Sequence, residues 1–289
     1  MPFTYGIQCA LEDLPTRFPS VLRGTFSEVT DQAAQAGYDG VELYIHTPAE
    51  HNGAAYRSEA ADKGLSFASI CTGLELLHHG LGLTSDDQAI RTRAVDRLKE
   101  HLDLAAELQC ALVVGTMRGN ISTPAAISET RDRLAAALQE LADYAEPLGV
   151  PIVVENILQY ISNWLCTMDD VGAFIEGLGL PGVKIHADTH SMHMEDPDPF
   201  AAVRKWGPLI GYVHFSDSNR GYPGAGAIDF KAHFHALMDS GYSGWITIEA
   251  QPFPTGVECA QRGLDYLKHL EAAATIERLP FMDDDMLRF

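Results

Sequence analysis

Apolar and polar positions follow two alternating periods along the whole chain. Short runs that are apolar at nearly every position, such as TYGIQCA and ALVVGTM, are typical of strands buried on both faces. Between them lie longer segments with an apolar residue at every third or fourth position, which is the spacing of a helix. The segment 26–36 shows this spacing and ends at Gly37, a helix stop. The alternation predicts strands and helices in strict succession.

Eight strand–helix pairs fill most of the chain. Because the strands are nearly all apolar, they predict a parallel sheet covered by helices, and eight such pairs close into a (β/α)8 barrel, the TIM barrel. We predict one barrel domain over 1–274 and a tail over 275–289 that caps the barrel, reaches a partner subunit or is loosely ordered. The predicted strands are TYGIQCA, GVELYIH, LSFASICTG, ALVVGTM, PIVVENI, VKIHADT, IGYVHFS and WITIEA, and the predicted helices 26–36, 48–63, 86–108, 124–148, 168–175, 199–206, 229–238 and 257–273.

Charge and composition exclude several classes of function. The 40 acidic and 20 basic residues give a net charge of −20, which would repel nucleic acid and anionic membrane surfaces. No apolar run approaches the roughly 20 residues of a membrane span, and no secretory signal is visible, so we expect a cytoplasmic protein. The five cysteines are scattered without a CxxC pair, which predicts reduced, mostly buried thiols. No P-loop or GxGxxG motif is present, so no nucleotide cofactor is expected.

Four consecutive strand runs end in a residue that can bind a metal. These residues are Glu155, Asp188, His214 and Glu249. A single such residue is more often a helix cap or a packed polar group. Four at equivalent strand ends are harder to explain by packing, because each would be an isolated half-buried polar group. The strand ends of a barrel meet at one face, where its active sites lie. Three carboxylates and one imidazole suit Mn²⁺, Mg²⁺ or Co²⁺ better than a thiolate-seeking metal, so we predict one divalent metal centre.

The segments VVEN, ADTHSMHMED, HFSDSNRGYPGAGAIDF and GYSGWITIEA carry a family resemblance. They resemble the sugar-phosphate isomerase/epimerase superfamily of xylose isomerase-like TIM barrels, and are most similar to the ketose 3-epimerases of the tagatose/psicose group. The resemblance implies one metal per subunit, usually Mn²⁺ or Co²⁺, held by the four strand-end residues. It also implies that Glu155 and Glu249 lie on opposite faces of a sugar and act as acid and base to invert C3. A homo-dimer or homo-tetramer is implied as well.

The resemblance also marks residues around the metal. Arg220 matches a family arginine that contacts substrate oxygens or fixes a catalytic carboxylate, and the alternative is an ion pair with Asp217. The family commonly has histidine at the position of Ser191, so Ser191 and the flanking His190 and His193 are substrate-binding candidates.

Other candidates come from their positions near strand ends. Asn156 is expected to orient Glu155, and Glu42 ends the second strand. Arg118 follows the fourth strand and is a candidate for holding a substrate carboxylate or phosphate, which would favour a keto-uronate or a phosphosugar. A salt bridge from Arg118 to Glu155 or Glu42 is the alternative. Further candidates are His46 and a loop with Glu75, His78 and His79, which either covers the site or is merely solvated. Tyr44 and Trp164 either form an apolar wall against the sugar or simply pack.

Three other functions remain open at this point. The same metal site suits aldose–ketose isomerisation or elimination from a 3-keto sugar, because both begin with the same proton abstraction. An endonuclease IV-like enzyme would need more histidines, usually three metals and a basic face. A non-catalytic sugar-binding barrel is the third alternative.

Overall fold

Each apolar run forms a strand that lies parallel to its neighbours. The computed structural model describes residues 3–12, 14 and 18–278. Within them β1 pairs with β3 on one side and with β9 on the other, which closes eight strands into a barrel and confirms the predicted fold. The two-residue β2 pairs only with β1 and was too short to predict. The strands are β1 Thr4–Ala10, β2 Leu22–Arg23, β3 Gly40–Tyr44, β4 Ser66–Cys71, β5 Ala111–Val114, β6 Ile152–Glu155, β7 Val183–Asp188, β8 Ile210–Phe215 and β9 Trp245–Ile248.

Ten α-helices lie in the described part of the chain, and all eight predicted helices are among them. The two short helices α3 and α7 were not predicted. The last helix ends at Glu277, and residues 279–289 of the predicted tail lie outside the described residues, so the division into domain and tail stays a prediction. The helices are α1 Phe26–Ala36, α2 Gly53–Asp62, α3 Gly73–His79, α4 Gln88–Leu108, α5 Ile127–Ala145, α6 Met168–Leu178, α7 Thr189–Glu195, α8 Pro199–Trp206, α9 Phe230–Asp239 and α10 Gly256–Glu277.

The main core lies between the barrel and its helices. In β7 the apolar residues Val183, Ile185 and Ala187 belong to this core, and burying each large one stabilises the fold by about 1.5–3 kcal/mol. The period of two therefore turns the alternate residues, His186 and Asp188, into the barrel. The strands thus present their polar residues to the interior of the barrel.

The register of the sheet brings the polar strand ends side by side. Glu155 on β6 is the partner of His186 on β7, and Asp188 on β7 is the partner of His214 on β8. Because all barrel strands are parallel, their carboxyl ends share one face of the barrel, and the predicted metal ligands lie there.

Two predictions from composition can be compared with the structure. All five cysteines are free, and four of them are buried, as predicted. Among the described helices, none has both the length and the apolar character to cross a membrane.

Candidate active site

The four strand-end residues form one compact group, which we call the metal quartet: Glu155, Asp188, His214 and Glu249. Each offers a ligand atom that lies within 4.8 Å of the other three. Asp188 and His214 belong to β7 and β8, Glu155 ends β6, and Glu249 directly follows β9. Three of the side chains are buried, and that of Glu155 is partly exposed.

The chemistry of the metal quartet fits a hard divalent cation. Nδ1 of His214 is buried without a hydrogen bond, 3.5 Å from Glu249 Oε2 and 4.0 Å from Asp188 Oδ2. Three carboxylates gathered in a buried site repel one another, and a cation bound among them would offset that repulsion. Oxygen-rich ligation with one imidazole suits Mn²⁺, Mg²⁺ and Co²⁺.

Arg220 bridges two carboxylates of the metal quartet. Its Nη1 donates to Asp188 Oδ2 at 2.7 Å, and its Nη2 forms an ion pair with Glu249. Its backbone adopts the left-handed conformation, with φ at 58°. The alternative ion pair with Asp217 is not formed, because the Asp217 carboxylate accepts hydrogen bonds from three backbone amides of its own loop, those of Ser218, Gly224 and Ile228.

The two glutamates of the metal quartet have opposite pKa shifts. Burial, then the charges of Glu249 and Asp188, raise the pKa of Glu155 to about 8. Burial would also raise the pKa of Glu249, but Arg220 and His214 lower it to about 2. The pKa of Asp188 is lowered in the same way by Arg220 and His214 against the effect of burial. Near neutral pH the cation-free site therefore holds one protonated and one ionised glutamate.

Glu42 lies beneath His214 rather than at the cavity surface. Both of its carboxylate oxygens are 3.0 Å from His214 Nε2, and it also accepts a hydrogen bond from Ser69. It is fully buried. The prediction that Glu42 binds the substrate is therefore corrected, because its carboxylate contacts the imidazole of His214. This pair turns Nδ1 of His214 towards the carboxylates. Against the effect of burial, Glu42 and Glu249 raise the pKa of His214 well above its ordinary value.

We expect Glu42→Gln to weaken Mn²⁺ binding by roughly 10- to 100-fold, because the imidazole loses the charged group that orients it. Electron paramagnetic resonance of free Mn²⁺ measures the dissociation constant directly. Glu176→Gln, which changes an exposed glutamate on α6, is the matched control. An affinity equal to that of the control would contradict the orienting contact.

A cavity of about 470 Å³ opens beside the metal quartet. Tyr44 lines it and donates its hydroxyl to Glu249 Oε1 at 2.6 Å, so it does more than form an apolar wall. Ser191 also lines it; its amide donates to Asp188 Oδ1 at 2.7 Å, and its hydroxyl accepts the Leu158 amide at 3.3 Å. Most of the remaining described lining is apolar: Phe18, Pro19, Leu76, Leu77, Ile157, Leu158 and Ile161.

Arg118 lies outside the described lining of the cavity. Its guanidinium is fully buried and donates to the carbonyl oxygens of Trp164 at 2.8 Å and Leu165 at 3.2 Å. These bonds hold the loop after β6, and no ion pair to Glu155 or Glu42 forms. The expectation that Arg118 binds an anionic substrate group is therefore corrected, because its Nη1 and Nη2 face a protein loop and the residue is fully buried.

Three other substrate-binding candidates also lie outside the cavity lining. Asn156 Oδ1 accepts the amide of Asp188 at 2.8 Å, so it holds the end of β7 rather than Glu155. His190 Nδ1 lies 3.0 Å from the carbonyl oxygen of Asp217, and His193 is exposed on α7. These contacts support the loops around the site.

The predicted loop after the third strand is helix α3, and its carboxylate is not solvated. Glu75 is fully buried, 2.7 Å from His101 Nε2 and 3.1 Å from Arg97. The next two residues, Leu76 and Leu77, line the cavity. Helix α3 therefore covers part of the site, and its two leucines, rather than Glu75, form that cover.

His186 is the residue near the site that sequence reasoning missed. Both ring nitrogens are buried without a hydrogen bond, and the ring centroid lies 4.1 Å from that of His214. With Glu155 and His214 it forms an overlapping group that is also close enough to hold a metal ion. The alternation of side chains along a strand could have identified it, because His186 stands two residues before Asp188 in β7 and therefore points to the same side of the strand.

Gly115 touches the carboxylate of Glu155. A Cβ at this position would lie 2.5 Å from Glu155 Oε2, so Gly115→Ala is expected to displace the carboxylate. A displacement near 1 Å lowers kcat/KM by on the order of 100-fold, while the melting temperature should change little because a side-chain end moves. Gly177→Ala on α6, where a Cβ meets nothing within 4 Å, is the control. Equal kcat/KM for both variants would contradict this close contact.

Comparisons with known proteins identify the family to which this chain belongs. The sequence profile described as "Xylose isomerase-like TIM barrel" matches residues 30–270. An L-ribulose 3-epimerase of Mesorhizobium japonicum is 34% identical over 219 residues, 75% of this chain and 72% of the relative. A ketose 3-epimerase of Arthrobacter globiformis is 30% identical over 220 residues, 75% of this chain and 74% of the relative.

Solved structures give the same result for the fold. A D-allulose 3-epimerase from Methylomonas sp. in complex with D-allulose aligns with a TM-score of 0.79 and 27% identity, over 92% of this chain and 96% of that one. An AP endonuclease of family 2 from Brucella melitensis aligns with a TM-score of 0.75 but only 18% identity, over 92% and 99% of the two chains. That second likeness concerns the fold alone, so the endonuclease alternative gains no support from it.

Proposed function

Because this chain belongs to the xylose isomerase-like TIM-barrel family, and within it to the ketose 3-epimerases, which are isomerases, we propose that it inverts C3 of a neutral ketose with Glu155 and Glu249 as acid and base. One observation carries the assignment of roles. Both glutamates belong to the metal quartet and line the same cavity.

The proposed chemistry needs a base on each face of C3. Glu249, held by Tyr44 and Arg220, takes the C3 proton of one epimer, and Glu155, after it takes up a proton from solvent, delivers that proton to the other face. Starting from the opposite epimer, the two glutamates exchange roles. A divalent cation held by the metal quartet supplies the Lewis acid that makes a C–H beside a carbonyl acidic enough for a carboxylate to remove its proton.

We propose Mn²⁺ as the cation in the active protein, with Co²⁺ and Mg²⁺ as alternatives. Three carboxylate oxygens and one imidazole nitrogen are available in the metal quartet, and this set contains no thiolate.

The substrate is proposed to be an uncharged ketose rather than a phosphosugar or a keto-uronate. Among the described residues that line the cavity, Arg220 is the one cationic side chain, and its donors already serve Asp188 and Glu249. Arg118 is buried against backbone carbonyl oxygens. A phosphate or carboxylate would therefore be desolvated here without a partner, which is costly.

The test is proton exchange in D₂O with the Mn²⁺-loaded protein. Fructose, tagatose, psicose, ribulose, a ketose phosphate and a keto-uronate are incubated separately, and NMR follows C3. We expect deuterium at C3 together with the C3 epimer for at least one neutral ketose. Exchange at C1, or loss of water, would instead favour the isomerase or eliminating enzyme. No exchange in any neutral ketose would overturn the proposal.

We also propose a cytoplasmic homo-dimer or homo-tetramer. The free thiols support a reducing compartment. Exposed apolar side chains support an association surface near the cavity mouth, since Leu77, Tyr160 and Ile161 are 55%, 77% and 56% exposed. Light scattering after size exclusion measures the assembly.

A further inference from the structure

One fully buried histidine inside the barrel has no part in the proposed epimerisation. Neither ring nitrogen of His186 forms a hydrogen bond with a described residue. The ring of Tyr212 lies 5.1 Å away, centroid to centroid, but its hydroxyl donates to Thr247. A buried polar group without a partner is costly, so the two free nitrogens of His186 need an explanation other than packing.

His186 lies one layer below Asp188, against two members of the metal quartet. Strand β7 is flanked by β6 and β8, and Glu155 on β6 is the direct partner of His186 in the sheet. The ring centroid of His214, on β8, lies 4.1 Å from that of His186. We call these three residues the inner trio: Glu155, His186 and His214. Each offers a ligand atom within 4.8 Å of the other two.

The inner trio and the metal quartet offer different donor atoms. Two imidazoles and one carboxylate, with a fourth position left for water, are a donor set typical of zinc. The metal quartet supplies three carboxylates and one imidazole, which suits harder cations. Ligand atoms about 2 Å from zinc lie about 3.3 Å apart, so each ligand atom of the inner trio needs to move by less than about 1 Å to bind it.

We propose that the inner trio is a second cation position, selective for a divalent cation that prefers nitrogen ligands, such as Zn²⁺. This cation binds in place of the cation of the metal quartet, not beside it. Nε2 of His214 is held by Glu42, so only Nδ1 is free, and one nitrogen binds one cation. Zinc in the inner trio also occupies Glu155, so it should stop C3 exchange. The binding does not depend on the proposed function, whereas this inhibition rests on it.

X-ray absorption at the zinc edge tests the coordination in the unmodified protein. Metal-free, full-length protein is loaded with one equivalent of Zn²⁺, and the fine structure of the spectrum counts the imidazole ligands. We expect two imidazoles, because the inner trio contains two histidines. Zinc in the metal quartet would have one imidazole, and that result would overturn the proposal. The measurement requires neither a substrate nor activity.

His186→Gln separates the two cation positions. The variant is expected to weaken Zn²⁺ binding by more than about 100-fold, because the loss of a group that merely orients a metal ligand already costs about 10- to 100-fold. Mn²⁺ binding should change by less than about threefold, since all four ligands of the metal quartet remain. Competition with a chromophoric chelator measures the Zn²⁺ affinity, and electron paramagnetic resonance measures that for Mn²⁺. His233→Gln, at a buried histidine of α9, is the matched control and should bind both cations as the parent does.

Titration of Zn²⁺ into Mn²⁺-loaded protein tests the exclusive binding. We expect each bound Zn²⁺ to release one Mn²⁺, with C3 exchange lost in proportion, and two cations held by one chain would contradict the proposal. An unchanged Zn²⁺ affinity in His186→Gln, or equal losses of Zn²⁺ and Mn²⁺ affinity, would overturn it. If the variant does not fold, the zinc-edge spectrum of the parent decides. Mn²⁺-loaded protein that exchanges no C3 proton would overturn the proposed function and leave the zinc spectrum unaffected.

Discussion

Glu155→Gln is expected to abolish inversion at C3 while leaving proton exchange intact for one of the two C3 epimers. Glu249→Gln should do the same for the other epimer. The reason is that each glutamate serves one face of C3, so the remaining carboxylate can still remove and return the proton that faces it. Loss of an acid or base costs about 10²- to 10⁴-fold in rate. Deuterium incorporation from each purified epimer, measured separately in D₂O, distinguishes the two half-reactions.

Both glutamates are also proposed metal ligands, so the assay needs a saturating concentration of Mn²⁺ and a measurement of the metal bound. Glu176→Gln, at an exposed position on α6, is the control and should epimerise as the parent does. If either variant lost exchange from both epimers equally while still holding Mn²⁺, the two-base mechanism would be wrong.

The barrel and the compact metal quartet could be predicted from sequence for the same physical reason. Strands buried on both faces are apolar at nearly every position, so a polar residue such as Asp188 or Glu155 at a strand end is conspicuous. Parallel strands then bring their carboxyl ends to one face without any further information. Helices α3 and α7 were missed because seven residues make fewer than two turns, too few for a helical period to show.

The direction of individual side chains could not be predicted in the same way. Glu42 stands two residues before the end of β3, which puts it one layer below the cavity, against His214. Arg118 ends a short 3-10 turn after β5, and this turn directs it to the carbonyl oxygens of another loop. The direction of each side chain depends on the layer of the barrel in which the residue lies and on short turns. These turns produce no periodic pattern of apolar residues in the sequence. The pairing of Arg220 with two carboxylates likewise depends on its left-handed backbone.

Removal of the divalent cation is the second change with a large expected effect. Dialysis against a chelator should lower the rate of C3 exchange by more than about 10³-fold, because Lewis-acid stabilisation contributes several kcal/mol to such a reaction. Added Mn²⁺ should restore the rate. Chelated protein that keeps its activity, with no metal found by elemental analysis, would overturn the metal-dependent mechanism.

The cation-free protein should also become less stable as pH rises from about 7 to about 8, above the range in which buried histidines with lowered pKa values, such as His186 and His233, act in the opposite direction. The folded-state pKa of Glu155, about 8, exceeds its ordinary value of 4.5, so its contribution is full below 4.5 and is lost as pH rises through 8. The raised pKa of His214 acts in the same direction. The lowered pKa of Glu249 contributes oppositely, but only as pH falls towards 2. Melting temperatures across this range, with and without Mn²⁺, test the sign, because a bound cation should flatten the slope.

The protons on Glu155 and His214 make the binding of the cation depend on pH. At pH 7, Glu155 and His214 are both protonated in the cation-free site, because their pKa values are raised, and a metal ligand must be deprotonated. Binding of Mn²⁺ should therefore release between one and two protons per chain, measured by calorimetry in buffers of different ionisation enthalpy. Glu155→Gln should release about one proton fewer, and above about pH 8 this difference should vanish. A variant that releases as many protons as the parent at pH 7 would show that Glu155 is already ionised before the cation binds.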